Sequence, residues 1–349
     1  MGSISAVDSM MNKPLRVWLP AIRVGSGADV FVERLAEGLS RAGHLPRLQW
    51  FPHSYEFFPE LMRVYVPVKE IDLIHAGSWG GNAFIGMRVP LVTTVLHLVH
   101  DPAYAPYRTA AQAIYHRVHV RWREGMAIRA SAAITAISDY VAGTVRSVFK
   151  RNDVHAIPCW VDLDRYKPVR LSSSEVGRPF RLLMVGNQTK RKGVDLFEDL
   201  VKGLGESFEL SCTGGLRMVH SRTFHAAGVR FLGRISEQDL IQEYQRCDAV
   251  VSLSRYEGFG YTALEGMACG KPFIGFDTSG LSNVVAHGET GMLVPTNDLR
   301  ALIEACRTLA ADAAKCETMG RSARARAVDH FKGEDAIERY VAIYRNVLS

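Results

Sequence analysis

The stretch SRYEGFGYTALEGMACGKP, Ser254 to Pro272, continues the apolar run Ala249 to Ser254 and opens a helical pattern. A buried strand that ends in a polar, glycine-bearing loop and resumes as a helix is half of a βαβ unit, the building block of parallel sheets. Gly258 and Gly260 permit a tight turn and close backbone approach, and the backbone of Phe259, Gly260, Tyr261 and Thr262 at the helix start suits a diphosphate. The helix dipole adds about 0.3 to 1 kcal/mol of preference for an anion there. Glu257 and Glu265 flank seven residues. Glu265 falls about one turn into the helix, where a carboxylate accepts both hydroxyls of a ribose, and Glu257 precedes the helix, at the reacting end. The bland alternative is that Glu257 favours a helix start and E-G-F-G is only a turn.

Outward from this stretch the same alternation runs along the chain. In the first half the short aliphatic runs are Leu15 to Pro20, Ile71 to Ala76, Pro90 to His97 and Ala132 to Ser138. In the second half they are Phe180 to Gly186, Phe208 to Thr213, Val229 to Leu232, Ala249 to Ser254 and Pro272 to Phe276. Two such series in 349 residues, at about 150 residues per domain, predict an α/β protein of two Rossmann-like domains with parallel sheets facing across a cleft. Val161 to Val176 loses apolar periodicity and collects proline, serine and charge, so it reads as the linker. Beyond Asn297 the pattern is purely helical, and Ile337, Tyr340, Ile343, Tyr344 and Val347 form one apolar face of a last helix that must dock on something.

Composition narrows the class. With 47% hydrophobic residues and a net charge of +6, the chain is neither disordered nor a dedicated nucleic-acid binder. The six cysteines form no C-x-x-C pair, which reads as reduced, cytoplasmic usage with neither a disulfide framework nor a zinc site. No apolar run reaches the roughly 18 residues of a membrane span and no signal-peptide core is evident, so a soluble or surface-lying protein is expected. Residues 1–12, small and polar with Met10 beside Met11, are left out of the fold reasoning.

Leu253 to Val294 as a whole, LSRYEGFGYTALEGMACGKPFIGFDTSGLSNVVAHGETGMLV, resembles the retaining glycosyltransferases of family 4, which have the GT-B fold and build bacterial cell-envelope polysaccharides. Their signature is P-S-x-x-E-G-F-G-x-x-x-L-E-A-M-A-x-G-x-P, then a glycine pair and a later G-x-x-G. Leu253 replaces the usual proline, Gly266 the usual alanine and Asn283 a common glutamate, while both carboxylates remain. The resemblance extends over nearly the whole chain from Leu15. It implies an acceptor domain over 13–165, a nucleotide-sugar donor domain over 166–330, and a terminal helix, 331–349, crossing back to the first domain. It also implies a hexosyl transfer, mannosyl or glucosyl, with retained configuration, from a UDP- or GDP-type sugar to a saccharide or lipid-linked acceptor in lipopolysaccharide or exopolysaccharide synthesis.

The same resemblance gives roles to other loops. In LLMVGNQTKRKGVDLFEDL, Leu182 to Leu200, Gly186 ends a strand and Arg191 and Lys192 precede a helix. Two cations beside a diphosphate neutralise charge building on the leaving group, although a bare K-R-K is also an ordinary solvated turn. Family members carry an arginine directly after the strand glycine; here Asn187 stands there, so Arg191 is expected to supply that charge. Gly25, Ser26 and Gly27 lack the third glycine of a dinucleotide fingerprint and are assigned to donor phosphate or acceptor contact. One of His97 and His100, in TTVLHLVHDPAYAPY, is expected to contact the donor sugar, and spacing leaves open which. His75, Trp79 and Asn82 are acceptor candidates, and Gly214, Arg234 and Ile235 candidates for the base.

Asp162 and Asp164 form a D-x-D, a metal motif in the other glycosyltransferase fold; within IPCWVDLDRYKP it reads as structural, so no metal and no cofactor are expected. Tyr104 to Ala132 carries Arg108, Arg117, Arg121, Arg123 and Arg129 against one acid, Glu124, with Tyr115 and Trp122 interleaved. Such a segment is either a solvated helix face or one that rests on an anionic bilayer, which would make the protein peripheral on the inner face of the plasma membrane. The alternatives to a transferase are a GT-B-shaped sugar-nucleotide epimerase, a pyridoxal-dependent phosphorylase and a non-catalytic sugar-nucleotide-binding module.

Overall fold

A computed structural model describes residues 13–169, 177–187, 189–214 and 228–349. The chain forms two compact units: residues 13–105 with 109–158 and 333–349, and residues 106–108 with 159–332.

The first unit begins with β1 (Arg16–Ile22), α1 (Gly27–Arg41), β2 (Leu45–Phe51), β3 (Leu73–Gly77) and β4 (Leu91–Val95). It continues with α2 (Ala110–Tyr115), α3 (Arg121–Ala130), β5 (Ala133–Ala136), α4 (Asp139–Phe149) and β6 (Val154–Ala156). The six strands are parallel in the order β2-β1-β3-β4-β5-β6. Serines placed just before the helical runs start them: Ser26 caps α1 and Ser138 caps α4, each accepting a first-turn amide.

The second unit holds β7 (Phe180–Met184), α5 (Phe197–Leu204), β8 (Phe208–Thr213), β9 (Val229–Gly233), α6 (Glu237–Arg246) and β10 (Ala249–Ser252). After these come α7 (Tyr261–Ala268), β11 (Phe273–Asp277), α8 (Leu281–Val284), β12 (Gly291–Pro295), α9 (Leu299–Ala311) and α10 (Ala313–His330). Its sheet is also parallel, in the order β12-β11-β10-β7-β8-β9. Leu182, Val251 and Ile274 on the central strands pack with Leu200, Leu302 and Leu309 from the covering helices into its core.

The last helix, α11 (Gly333–Leu348), belongs to the first unit. Its apolar face lies on α1 and β3: the rings of Tyr340 and Phe31 stand 6.3 Å apart, Ile337 covers Gly38, and Tyr344 reaches His75.

Three strands have no counterpart among the apolar runs: β2, β6 and β12. All three are sheet edges, and β2 has a single buried residue while β6 is only three residues long, so neither needs a continuous aliphatic run. The expected linker is also corrected. Cys159, Trp160, Val161 and Tyr166 are buried in the second unit, and Arg324 donates to the carbonyls of Leu163 and Tyr166. The change of unit falls at 158/159, and the buried members of this stretch, Cys159, Trp160, Val161 and Tyr166, are spaced too irregularly to read as an element. Residues 170–176 lie outside the described residues, as do 1–12, Gln188 and Gly215 of the C-T-G-G loop. None of the six cysteines forms a disulfide, and burial pushes the thiols of Cys212, Cys247, Cys269 and Cys306 up to about 12. Among the described residues no helix is long and apolar enough to cross a membrane.

Candidate functional site

In the second sheet β7 and β10 are neighbours, yet the chain leaves them in opposite directions, toward β8 and β9 from one and toward β11 and β12 from the other. Such a reversal opens a crevice beyond the carboxyl ends of the strands, where open α/β sheets take ligands. The loops after β7 and β10 are therefore the ones to inspect.

Thr189 caps the turn Lys190–Lys192, its hydroxyl accepting the Lys192 amide at 3.3 Å, and Gly193 at φ 75° leads the chain out. A Cβ on Gly193 would stand 2.4 Å from the Leu253 carbonyl oxygen, so only glycine lets the two loops touch. Arg255 ties them together. Its amide donates to the Arg191 carbonyl at 2.9 Å, and its guanidinium reaches the Lys190 carbonyl at 2.7 Å and both Asp195 carboxylate oxygens at 2.5 and 2.7 Å.

This clamp brings three of the expected residues together. The Lys192 ammonium forms an ion pair with the Glu257 carboxylate. Arg191 Nη1 lies 3.7 Å from the other Glu257 oxygen and donates to the Tyr256 carbonyl at 2.6 Å. Burial by itself would raise the Glu257 carboxyl, but the charge of Lys192, then that of Arg191, outweighs it and holds the group at about 2. Lys192 is pulled below its ordinary value because its burial outweighs the attraction of Glu257. Two cations and one carboxylate leave one net positive charge facing the crevice. Their side chains are 19% (Lys192), 30% (Arg191) and 14% (Glu257) exposed, so none is sealed from a ligand.

Glu257 is also held through its backbone. Its amide donates to Ser279 Oγ at 2.8 Å and its carbonyl accepts the Gly280 amide at 2.9 Å. Thr189, Asp195, Arg255 and Ser279 are supporting residues that sequence reasoning missed. A charged Arg255 directly after an apolar run, and T-S-G directly after β11, were the available signals.

Gly260, at φ 115°, precedes α7 without a side-chain cap. The first amides of a helix have no carbonyl one turn back, so the start of α7 at Tyr261 and Thr262 directs donors outward right after Glu257, Gly258 and Phe259. The Phe259 ring itself is buried against Phe331, which leaves only its backbone for a ligand. Glu265, 6% exposed, accepts the Tyr244 hydroxyl at 3.0 Å. Gly186 (φ 133°) donates its amide to Thr213 Oγ1 at 3.2 Å, with Asn187 next in the loop, and Gly214 donates to the Gly233 carbonyl at 2.8 Å. Arg234 is exposed and Ile235 half-buried after β9.

The first unit's candidates are rearranged by the structure. His75 is corrected from acceptor contact to core: it is 3% exposed, with Nδ1 2.5 Å from the Tyr344 hydroxyl and Nε2 2.6 Å from Thr94 Oγ1. Burial pulls its imidazole down to about 3. Asn82 is also enclosed, 7% exposed, and donates to Glu60 at 2.9 Å. The histidine pair is separated. His97 is exposed, its ring 6.1 Å from that of half-buried Trp79. His100 is corrected from a sugar contact to a support, because its side chain is 3% exposed, edge-on to Phe149, with Nε2 3.3 Å from Glu124 Oε2. Glu124, fully buried, accepts the Ser78 hydroxyl at 2.6 Å, so one carboxylate joins α3 to the loops after β3 and β4.

The glycine loop after β1 differs too. Asp29 accepts the amides of Val24 and Gly25 at 3.1 and 2.9 Å, while Ser26 caps α1. An internal carboxylate thus takes the donors that Gly25 would have offered a phosphate, which leaves Gly27 as the first helical residue of the loop. Asp162 accepts the amides of Asp164 and Arg165 at 3.0 and 3.1 Å, a turn-closing role.

A glycosyltransferase family 4 model matches residues 44–165, and a glycosyl transferases group 1 model matches residues 170–326. The chain is 36% identical over 121 residues to N-acetyl-alpha-D-glucosaminyl L-malate synthase of Bacillus anthracis, covering 34% of this chain and 31% of that one. It is 34% identical over 154 residues to a D-rhamnosyltransferase of Pseudomonas aeruginosa, covering 42% and 40%. The matched segments thus span about a third to two fifths of these curated relatives. Among solved structures, sucrose-phosphate synthase of Thermosynechococcus elongatus superposes with a TM-score of 0.80 at 22% identity, over 95% of this chain and 98% of that one. HepE of Anabaena, crystallised with UDP-glucose, gives 0.74 at 20% identity over 94% and 98%. At those identities the solved structures speak for the fold alone. With a family 4 domain followed by a group 1 domain, each over a parallel Rossmann-type sheet, the chain belongs to the GT-B glycosyltransferases.

Proposed function

We propose that the chain is a retaining, metal-independent hexosyltransferase that takes a mannosyl or glucosyl unit from a nucleotide-diphosphate sugar, UDP- or GDP-linked, and passes it to a saccharide or lipid-linked acceptor in lipopolysaccharide or exopolysaccharide synthesis. The observation that carries this reading is the Lys192–Glu257–Arg191 cluster at the strand-order reversal of the second unit, beside the start of α7. In this reading the diphosphate rests on the α7 amides, and Lys192 and Arg191 stabilise the charge it gains as the bond from the anomeric carbon breaks. The acceptor oxygen attacks the same face, and its proton passes to the departing phosphate. A double displacement is disfavoured, because it needs a second carboxylate across the scissile bond, and Glu265 lies one turn into α7, buried and bonded to Tyr244. Glu257 orients the sugar, Glu265 accepts the ribose hydroxyls, and the backbone near Gly214, Arg234 and Ile235 meets the base. His97, with Trp79, is the first unit's contribution.

A thermal-shift screen of UDP-, GDP- and ADP-sugars, followed by transfer assays resolved for anomeric configuration, tests the reading. One donor at about 100 times its dissociation constant raises stability by about 2.7 kcal/mol. Its transfer retains configuration, survives chelation of divalent metals, and falls at least about 100-fold in Glu257→Ala. A Glu257→Ala variant within about threefold of wild type contradicts the assignment.

A further inference from the structure

Exposed large hydrophobic side chains are unevenly spread. Of the fourteen among the described residues, nine fall on two short stretches of the first unit: Phe57, Phe58, Leu61, Val64, Tyr65 and Val68, and Ile114, Val118 and Trp122. The second set recurs every four residues, so it forms one stripe along the helix that runs from α2 to α3. The first set lies on and beside the short helical turns His53–Glu56 and Pro59–Tyr65. The two stretches are joined: the Phe57 and Tyr115 rings are 5.9 Å apart, and Arg123 Nε donates to Glu60 at 2.8 Å. The two apolar stretches are thus neighbours on the surface, where Val64 is 81%, Val118 67% and Phe58 63% exposed.

The charges around this face are mainly positive. Arg63, Arg117 and Arg121 are exposed beside the stripe. Of the nearby acids, Glu60 is paired with Arg123, Glu70 with Arg47, Glu56 lies 3.0 Å from His53, and Glu124 is fully buried. We propose that this face docks the protein on an anionic lipid bilayer, with the aliphatic and aromatic side chains entering the headgroup boundary and the arginines meeting lipid phosphates. The side chains protrude rather than line a pocket, which suits a deformable apolar medium better than a rigid protein surface. A second copy of the chain is a poor occupant: a two-fold interface sets the same patch against itself, so the three arginines would meet one another. The proposal uses no residue of the second unit and stands whether or not the transfer reading holds.

Flotation of the full chain with phosphatidylcholine vesicles, with and without about one-third phosphatidylglycerol, tests it. Wild type is expected to float with the anionic vesicles at low salt, to release at high salt, and to stay unbound with neutral ones. R117Q/R121Q lowers the partition about 25-fold, at about fivefold per arginine. F58S/V64S/W122S lowers it at least about tenfold with an unchanged melting profile, because these side chains leave the core intact. No flotation on anionic vesicles at low salt overturns the proposal. So does wild-type partition in the apolar triple variant, or a solution dimer that the same triple substitution dissociates.

Discussion

Glu257 sits between two cations and is fixed from behind by backbone contacts that depend on a neighbouring glycine. A Cβ on Gly280 would stand 2.2 Å from the Gly258 carbonyl oxygen, and the atoms it meets belong to backbone, so nothing flexible can yield. Gly280→Ala is expected to destabilise the chain by more than about 2 kcal/mol in urea denaturation and to lower transfer by displacing Glu257. Gly143→Ala is the contrasting control, since it lies mid-helix in α4 with nothing within 4 Å of the new methyl, and it should gain about 0.5 to 1 kcal/mol. Equal effects from the two substitutions would contradict the close-approach account. Glu257, Lys192 and Arg191 were named in the sequence from the loops after two strands together with the family resemblance, and the structure brings the three side chains together. His75, His97 and His100 were not distinguishable. Their separation depends on Tyr344, 269 positions from His75, and on Glu124, a burial that only the folded chain supplies.

At the scale of the element, α11 is the last helix in sequence yet packs on the first helix and the third strand of the first unit. Its apolar face was readable from spacing, but what that face covers was not. His75 and Tyr344 form the polar centre of this contact, and the imidazole, held at about 3, stays neutral in the folded state. The unfolded chain takes up the proton at about 6.5, so this contribution is full above that pH and is lost as pH falls from about 6.5 toward 3. At pH 5 the loss is about 2 kcal/mol. Urea midpoints at pH 7 and pH 5 for wild type and His75→Gln check this: the variant should lose about 2 kcal/mol less than wild type over that interval. Equal losses would show that His75 does not carry the acid sensitivity. The missed strands β2, β6 and β12 belong to the same scale, since an edge strand is specified by the neighbour it pairs with more than by its own apolar pattern.

For the whole molecule, two parallel sheets were expected from two series of alternating apolar segments, and all of those segments but β9 are central strands, flanked by a neighbour on each side. The unit boundary was displaced because Cys159, Trp160, Val161 and Tyr166 pack against the second unit without helical or strand period. The mild +6 of the chain hides an uneven distribution: Lys192 and Arg191 stand at one ligand end of a sheet, and Arg63, Arg117 and Arg121 border an apolar face of the first unit. The central claim is that the second unit binds a nucleoside diphosphate on the Lys192 cluster. Calorimetric titration of UDP, GDP and ADP into wild type and Lys192→Ala tests it most directly. One nucleotide should bind wild type at one site per chain and bind the variant at least about tenfold more weakly, a loss of about 1.4 kcal/mol or more. Binding of none of the three, or equal binding by Lys192→Ala, would contradict it.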